Sequence, residues 1–408
     1  MITKLFYSVV LSFSISSLIA QDKAVMFDEK GSYLSQIGNR YLKNKKVIAM
    51  GEATHGTHEF FTIKSNFFKY LSTRHGFNIF ALEANYTECL PLDHYIKTGE
   101  GNPEEQLNKM QLWPWKTKEV LALILWMREY NQQHPDDMLT FLGIDSGNGA
   151  FLGIPYLEQY FSKVGKELLD DWQVIRARHD SIKTTADRDS SIQMTLGFEK
   201  RIRESTLPDK EVVAFTLRTI AQNLEFYFKD QVDVYKVRDR HMAENVMYHL
   251  QKNPGNKVFV WAHNAHINKD SLFFATRLEG LNRPDIKAMG YYLKQQLGKQ
   301  AYIIGFEFNK GSLYVNYYSR EQQKRVYELI SLEEAPEGSL PGQLAAIKRS
   351  TYFLPTSNDS KRWNQLLLSH NYGGGKAEKR SMERINPFKA YDAIIFVDQI
   401  KASQPINY

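Results

Sequence analysis

The sequence predicts an α/β protein of three layers, α/β/α, with a mostly parallel central sheet and an inserted helical subdomain. Short apolar segments alternate with longer segments in which apolar residues recur at helical spacing, a pattern typical of parallel strands joined by crossover helices. The short apolar segments are missing between residues 156 and 250, where mixed apolar and charged helices follow one another. We therefore expect an α/β core made of 21–155 and 251–408, with the helical insertion at 156–250.

Length and composition allow a large core and limit the possible partners. The chain has 408 residues, of which 43% are hydrophobic and 13% aromatic, unlike a disordered protein. The formal net charge is +6 and no basic run is long, so no nucleic-acid partner is expected. Because Cys89 is the only cysteine, an internal disulfide and a thiolate metal site are excluded.

The first twenty residues are typical of an export signal. Lys4 supplies a positive start, residues 5–19 are largely apolar, and Ala20 offers a small residue for cleavage. An uncleaved anchor is the alternative, although the apolar span is short for a membrane crossing. We expect residues 1–20 to be a signal peptide. The mature protein would then be periplasmic or secreted, without stable membrane insertion.

The elements of the first half follow from local patterns. Residues 22–44 are predicted to form a helix that leads into the sheet, and 59–71 a helix with apolar residues on one face. Thr117 is a suitable N-cap for a further helix that reaches Gln133. Short apolar runs predict strands at 47–50, 78–84 and 139–147.

The second half predicts helices followed by a resumed sheet. The helical segments are expected at 156–164, 168–183, 190–204, 211–228 and 233–250. Strands are expected at 257–262, 301–308 and 391–398, the last of which would close the sheet. Residues 313–318 are predicted to form a separate edge strand, and the glycine-rich residues 371–380 a mobile loop.

The motif at 49–58 links the first predicted strand to the helix that follows. Gly51 and Gly56 flank Glu52 and His55 and allow the backbone to turn tightly. Such an elbow lies at the carboxyl edge of a parallel sheet, where open α/β proteins bind their ligands. The alternative is a helix-entry turn whose histidine and glutamate are merely exposed.

Other chemically active residues follow other predicted strands. If these strands are parallel, their carboxyl ends share one edge of the sheet, and the edge can supply general acids and bases. The residues concerned are Glu52, His55, Glu83, Asp145, His263, His266 and Glu307. The sequence has no Gly-x-Ser-x-Gly elbow and no phosphate-cradling glycine loop. Trp113 and Trp115 could line a pocket beside this edge or cap the core.

These motifs together resemble the erythromycin esterase family from about Val47 to Val397. Two histidine motifs, Gly51–Gly56 and Ala262–His266, carry the resemblance jointly. The other matching segments are the strand ending in Glu83, Trp115–Thr117 with Glu119, Trp126–Arg128, Gly143–Asp145, Arg238-Asp239 with Met242, Met289-Gly290 and Asp392-Ala393.

The resemblance implies a hydrolase of small-molecule esters or macrolide lactones that uses a histidine-activated water, without a serine nucleophile or a cofactor. It implies that His55 is the general base. Glu52, Glu83, His263 and His266 would orient His55, bind water or stabilise the oxyanion. Lys64 stands where arginine is expected in the family's antibiotic-resistance members, which departs from the family pattern. We assign Lys64, Trp113 and Trp115 to substrate binding.

Two other functions remain open. His55-x-x-His58 and His263-x-x-His266, with Glu52 or Glu83, could ligate zinc or manganese in a metal-dependent hydrolase. Alternatively, the aromatic content could serve an envelope protein that binds haem or another large apolar ligand. We expect no required metal, because histidines beside carboxylates can act as bases without an ion. The oligomeric state does not follow from the sequence.

Overall fold

The computed structural model describes residues 24–147, 150–270, 286–319, 321–371 and 381–406. The predicted signal peptide at 1–20, and residues 372–380 of the predicted glycine-rich loop, lie outside the described residues. Within the described ranges, every helix is too short or too polar to cross a lipid bilayer.

Eleven strands occur among the described residues. They are β1 (Val25–Met26), β2 (Val47–Met50), β3 (Ile79–Asn85), β4 (Thr140–Asp145), β5 (Val258–Trp261), β6 (Ala301–Ser319), β7 (Lys324–Leu332), β8 (Thr351–Pro355), β9 (Leu367–His370), β10 (Met382–Ile385) and β11 (Ala393–Ile400).

Fifteen α-helices among the described residues connect these strands or cover the sheet. They are α1 (Ser32–Ile37), α2 (His58–His75), α3 (Tyr86–Thr98), α4 (Pro103–Lys109), α5 (Lys118–Gln133), α6 (Gly153–Val164), α7 (Lys166–Asp180), α8 (Thr185–Glu204), α9 (Lys210–Leu224), α10 (Gln231–Gln251), α11 (Asn264–Ile267), α12 (Met289–Leu297), α13 (Leu340–Ala345), α14 (Ser360–Trp363) and α15 (Pro387–Ala390).

Nine of the described strands form one sheet, in the order β1-β8-β11-β6-β2-β5-β3-β4, with β7 paired to β6. Six consecutive strands, from β11 to β4, are parallel, whereas β1, β8 and β7 pair antiparallel. Met50, the last residue of β2, pairs with Trp261, the last residue of β5, so the carboxyl ends of these two strands are aligned. On its other side Met50 pairs with Ile304 of β6, which continues beyond it. The predicted mostly parallel sheet is confirmed.

Helices cover both faces of the sheet and give the three predicted layers. One face packs against aromatic residues of α2, including Phe60 and Phe67, in a cluster that also contains Phe259 of β5. The opposite face packs against α10, α12 and α13, with Met242 and Met289 among the buried residues. Alternate side chains of each parallel strand therefore enter two apolar layers.

The stretch between β4 and β5 contains helices α6 to α10, and its described residues hold no strand. Helices α6 to α9 bury a separate apolar cluster around Phe161 and Trp172. Helix α10 instead packs against the sheet. The helical content predicted for 156–250 is confirmed, and its status as an independent subdomain stays a prediction.

Several predicted elements differ from the structure. Of the predicted helix at 22–44, the described residues 24–44 do not form one helix; they contain β1, α1 and a π-helical turn at Gly38–Leu42. Residues 313–318 are not a separate strand, because β6 continues through them after Gly311, which has a φ of 127°. The predicted closing strand, β11, is internal, because β8 and β1 pair on its far side.

Candidate functional site

The predicted elbow lies at the carboxyl end of β2 and faces the turn that follows β5. The close approach of the elbow to this turn requires glycine at position 51, because a β-carbon there would lie 2.1 Å from Oδ1 of Asn264. The backbone N–H of Asn264 donates to the carbonyl oxygen of Glu52 at 2.9 Å. The elbow and the turn after β5 are therefore held directly against each other.

Four side chains at this place form what we call the Glu52 cluster: Glu52, His55, Lys64 and Trp261. Oε1 of Glu52 lies 2.5 Å from Nδ1 of His55. Its Oε2 accepts hydrogen bonds from Lys64 Nζ and, at 2.9 Å, from the indole Nε1 of Trp261. Glu52 is completely buried, so these donors supply the hydrogen bonds that water would otherwise give.

The contact with Glu52 determines how His55 can react. A carboxylate beside Nδ1 favours a proton on that nitrogen, which leaves Nε2 of a neutral ring as a base. His55 is only 9% exposed, so the alternative of a helix-entry turn with a merely exposed histidine and glutamate does not hold. The rings of His55 and Trp115 meet edge to face, with centroids 5.9 Å apart.

Lys64 lies on the buried side of Glu52. No part of its side chain is exposed, and its ammonium lies 4.2 Å from the ring centroid of Trp261. Burial lowers the pKa of Lys64 to about 8, although the charge of Glu52 opposes the shift. Any effect of Lys64 on a bound molecule would therefore pass through Glu52.

His263 lies beside His55, with ring centroids 4.9 Å apart. Its Nδ1 accepts the backbone N–H of Ala265 at 3.2 Å. Burial, and then the neighbouring His55, hold the pKa of His263 well below its usual range, so the ring is neutral at pH 7. The proton of the neutral ring must therefore be on Nε2, which is buried and has no hydrogen-bond partner among the described residues.

A second group, the Glu83 cluster, consists of Glu83, Asp145, Arg238, Asp239 and His266. Arg238 of α10 donates to Glu83 at 2.9 Å and to Asp145 at 2.6 Å, both through Nη2. Oε2 of Glu83 accepts the backbone N–H of His263 at 2.8 Å. Burial alone would raise the pKa of Glu83, but the charges of His266 and Arg238 outweigh it and hold the pKa well below its usual range.

His266 completes this cluster as a cation. Its Nδ1 lies 3.0 Å from both carboxylate oxygens of Asp239, and its Nε2 lies 3.2 Å from Glu83. Burial alone would lower its pKa, but Asp239 and Glu83 raise the pKa of His266 to about 10. A protonated ring cannot accept the N–H of Arg238, which approaches Nε2 at 3.0 Å. Three carboxylates around these two cations offset that repulsion.

The structure brings most of the predicted site residues together and separates two. His58 turns away from His55, and its Nδ1 lies 2.7 Å from Glu119. Glu307 is in the middle of β6 rather than at a strand end, and contacts Ser369 and His370 of β9. Trp115 is buried and donates to the carbonyl oxygen of Glu83 at 3.0 Å, whereas Trp113 is half-buried.

A serine–histidine pair that the sequence did not reveal lies behind the Glu83 cluster. Oγ of Ser146 lies 3.1 Å from Nδ1 of His241, and Nε2 of the same ring lies 3.4 Å from Glu225. Ser146 and His241 are both buried. Ser146 follows Asp145 directly, and this contact helps to fix the end of β4.

The histidines considered as possible metal ligands lie in separate groups and contact different carboxylates. His58 is with Glu119, and His266 is between Asp239 and Glu83. Within the described ranges, no group of three or more histidine, cysteine, aspartate or glutamate side chains is arranged to hold a metal ion.

Fold and site together define an α/β protein whose ionisable residues meet at the carboxyl edge of a parallel sheet, the usual place of a ligand site in this class. The family model for erythromycin esterase matches residues 72–400. The chain therefore belongs to the erythromycin esterase family.

Individual relatives are similar at low identity. YbfO of Bacillus subtilis (strain 168), named as an unconfirmed hydrolase, is 24% identical over 399 residues, which cover 89% of this chain and 86% of that protein. Erythromycin esterase type II of Escherichia coli is 26% identical over 310 residues, covering 67% and 71% of the two chains.

Among solved structures, a histidine variant of the erythromycin esterase EreC in its open conformation has a TM-score of 0.67 at 16% identity. The alignment covers 92% of this chain and 96% of that one, and it supports the fold.

Proposed function

We propose that this protein hydrolyses carboxylic esters, with macrolide lactones as candidate substrates, by means of a water molecule activated by His55. Membership of the erythromycin esterase family supports an ester substrate. The observation that carries the proposal is the contact between Glu52 and Nδ1 of His55 at 2.5 Å. This contact leaves Nε2 of His55 to accept a proton from water, as a general base requires.

In the proposed reaction, Nε2 of His55 takes a proton from water while the water oxygen bonds to the ester carbonyl carbon. The carbonyl oxygen becomes an oxyanion and accepts the unpartnered Nε2–H of His263. The intermediate then collapses, the bond to the leaving alkoxide breaks, and His55 returns its proton to that oxygen. One ester and one water give one acid and one alcohol, without a serine nucleophile or a cofactor.

Glu83 and His266 have positioning roles in this proposal. Glu83 accepts the backbone N–H of His263, so it would hold the main chain from which the oxyanion-binding imidazole extends. His266 and Arg238 keep Glu83 ionised. Removal of either cation would leave a buried carboxylate short of partners, which is costly.

The predicted substrate-binding residues divide into two groups. We propose that Lys64 acts on the substrate indirectly, because its ammonium is buried against Glu52. Trp115 would form the wall of the site, since its edge meets the ring of His55. The half-buried Trp113 would contact the substrate itself.

We also propose export to the periplasm or the exterior, on the basis of Lys4, the apolar run that follows it and Ala20. Mature protein from the native host should begin near Gln21. Recovery of the intact chain starting at Met1 from the cytosol would contradict this part of the proposal.

A panel of simple esters and macrolides tests the activity. The parent protein should hydrolyse at least one compound, and His55→Ala should lose about 10²–10⁴-fold in rate. Ser146→Ala is the matched control, because it removes a buried hydroxyl beside the other cluster. Loss of activity in Ser146→Ala with full activity in His55→Ala would indicate a serine mechanism instead.

A further inference from the structure

We propose that the hairpin of β6 and β7 forms a docking face for the apolar body of a large ester, next to the proposed catalytic residues. The hairpin face consists of Tyr314, Tyr318, Tyr327 and Leu329, and Trp113 extends it towards His55. The inference rests on the proposed function, because it concerns the substrate of the same site.

The hairpin rises from the edge of the sheet that carries the site. Strand β6 pairs in parallel with β2 and β11 and then continues beyond the last residue of β2. At Gly311, where a β-carbon would lie 2.0 Å from the carbonyl oxygen of Ile400, β6 begins to pair with β7. The hairpin therefore projects from the carboxyl edge, beside Glu52 and His55.

Contact with the elbow fixes the hairpin close to His55. The backbone N–H of Tyr314 donates to the carbonyl oxygen of Gly56 at 3.4 Å. A β-carbon at Gly56 would lie 2.5 Å from the carbonyl oxygen of Tyr314. Because Gly56 follows His55 directly, the hairpin face starts one residue from the proposed base.

The pairing register separates the two faces of the hairpin. Leu313 pairs with Ile330, and both side chains pack into the core beside α2. The alternate pair, Tyr314 with Leu329, lies on the opposite face, as does Tyr327. Leu329 is 55% exposed, Tyr318 54% and Tyr327 38%. Such a group of exposed apolar side chains is typical of a binding surface.

Aromatic rings connect this face with the base. The ring centroids of Trp113 and Tyr327 lie 5.9 Å apart in an edge-to-face arrangement. Trp113 shares a short 3₁₀ turn with Trp115, whose ring meets His55. A substrate body that covers Tyr327 and Trp113 would therefore place its ester group towards His55.

One polar side chain on the hairpin face, Asn316, should favour a ligand that carries an oxygen acceptor. Asn316 is paired across the strands with Tyr327. Its Oδ1 accepts a hydrogen bond from Arg325 at 2.8 Å, whereas its Nδ2 is buried and has no partner among the described residues. An ether or carbonyl oxygen of the bound molecule would satisfy this donor. The chemical class is thus a large, mainly apolar ester with some oxygen functions.

Two esters that differ only in chain length test the inference: p-nitrophenyl acetate and p-nitrophenyl decanoate. The variant Tyr327→Ser/Leu329→Ser should raise KM for the decanoate about tenfold, since apolar contact area is lost, and leave kcat within about twofold. Its kinetics on the acetate should not change. Val174→Ser on α7 is the matched control, because Val174 is 64% exposed and lies in another part of the fold.

Binding of the fluorescent apolar probe N-phenylnaphthylamine separates this inference from the proposed function, since it needs no turnover. The parent should bind the probe and release it to decanoate ester, and the double variant should bind it about tenfold more weakly. If the parent hydrolyses no ester but shows this binding, only the proposed function fails. Unchanged decanoate kinetics and probe binding in the double variant would overturn the inference. A parent dimer that the double variant converts to a monomer would also overturn it, because the face would then be a subunit interface.

Discussion

Lys64 should set an upper pH limit on activity. Its pKa is about 8 in the folded protein, so above this pH the ammonium loses its proton. Glu52 would then be a buried carboxylate held by Trp261 and His55 alone. We expect kcat/KM to fall above about pH 8, because the carboxylate that orients the base has lost its cation.

Deprotonation of Lys64 should affect stability and activity in opposite directions as the pH rises. The difference between the ordinary pKa of 10.5 and about 8 corresponds to about 3 kcal/mol in favour of the neutral form. Between about pH 8 and 10.5, Lys64 is protonated to a greater extent in the unfolded chain than in the folded chain. The contribution of Lys64 to the free energy of unfolding should therefore rise from about pH 8 to 10.5, while activity falls.

Two substitutions test whether the charge of Lys64 sets the upper pH limit of activity. Lys64→Arg keeps the positive charge at high pH, so the fall in kcat/KM should move upwards by at least one pH unit. Lys64→Met removes the charge at every pH, and breaking a buried ion pair from one side costs about 3–5 kcal/mol. It should be poorly active throughout.

The assay is kcat/KM for p-nitrophenyl acetate between pH 6 and 10, with thermal unfolding of each variant at the same pH values. An arginine is larger and can overpack the site by about 1–3 kcal/mol, which the unfolding curves would reveal. A folded, active Lys64→Arg protein with an unchanged upper limit would refute the role of Lys64. Full activity of Lys64→Met at pH 7 would refute it independently.

Other predictions concern the base, the Glu83 cluster and metal dependence. His55→Ala should lose nearly all turnover and keep its melting temperature within a few degrees, whereas His58→Ala should lose much less; equal losses in steady-state assays would favour a paired-histidine metal site. Arg238→Met should lower the free energy of unfolding by about 3–5 kcal/mol, because Glu83 and Asp145 lose a buried cation; denaturant titration measures this, and an unchanged midpoint would contradict it. Treatment with EDTA should leave the rate unchanged, and recovery of lost activity with one divalent metal alone would contradict this expectation.

Local patterns were sufficient to predict the sheet and its functional edge. The strands at Val47–Met50 and Val258–Trp261 are adjacent and parallel, as expected, and their register aligns Met50 with Trp261. Because parallel strands end at one edge, the residues that follow them, such as Glu52 and His263, could be expected to lie close together. Their catalytic roles remain predictions.

The buried charges were harder to predict, although signals for them exist. Lys64 lies four residues after Phe60 and four before Phe68, so helical spacing places it on the buried stripe of α2. Asp239 likewise precedes the buried Met242 by three residues. Their partners come from other elements, and no local pattern identifies an ion pair such as Arg238 with Asp145.

The turn after β5 connects the two clusters physically. The backbone carbonyl oxygen of Glu52 accepts the N–H of Asn264, and the side-chain carboxylate of Glu83 accepts the backbone N–H of His263. Glu52 in the elbow and Glu83 in β3 thus hold consecutive peptide groups of one turn. The side chain of Asn264 adds a third attachment, since its amide donates to the carbonyl oxygen of Phe306 at 2.7 Å. Displacement of the His263 backbone from the elbow would break at least one of these hydrogen bonds, so they fix the position from which the His263 side chain extends towards His55.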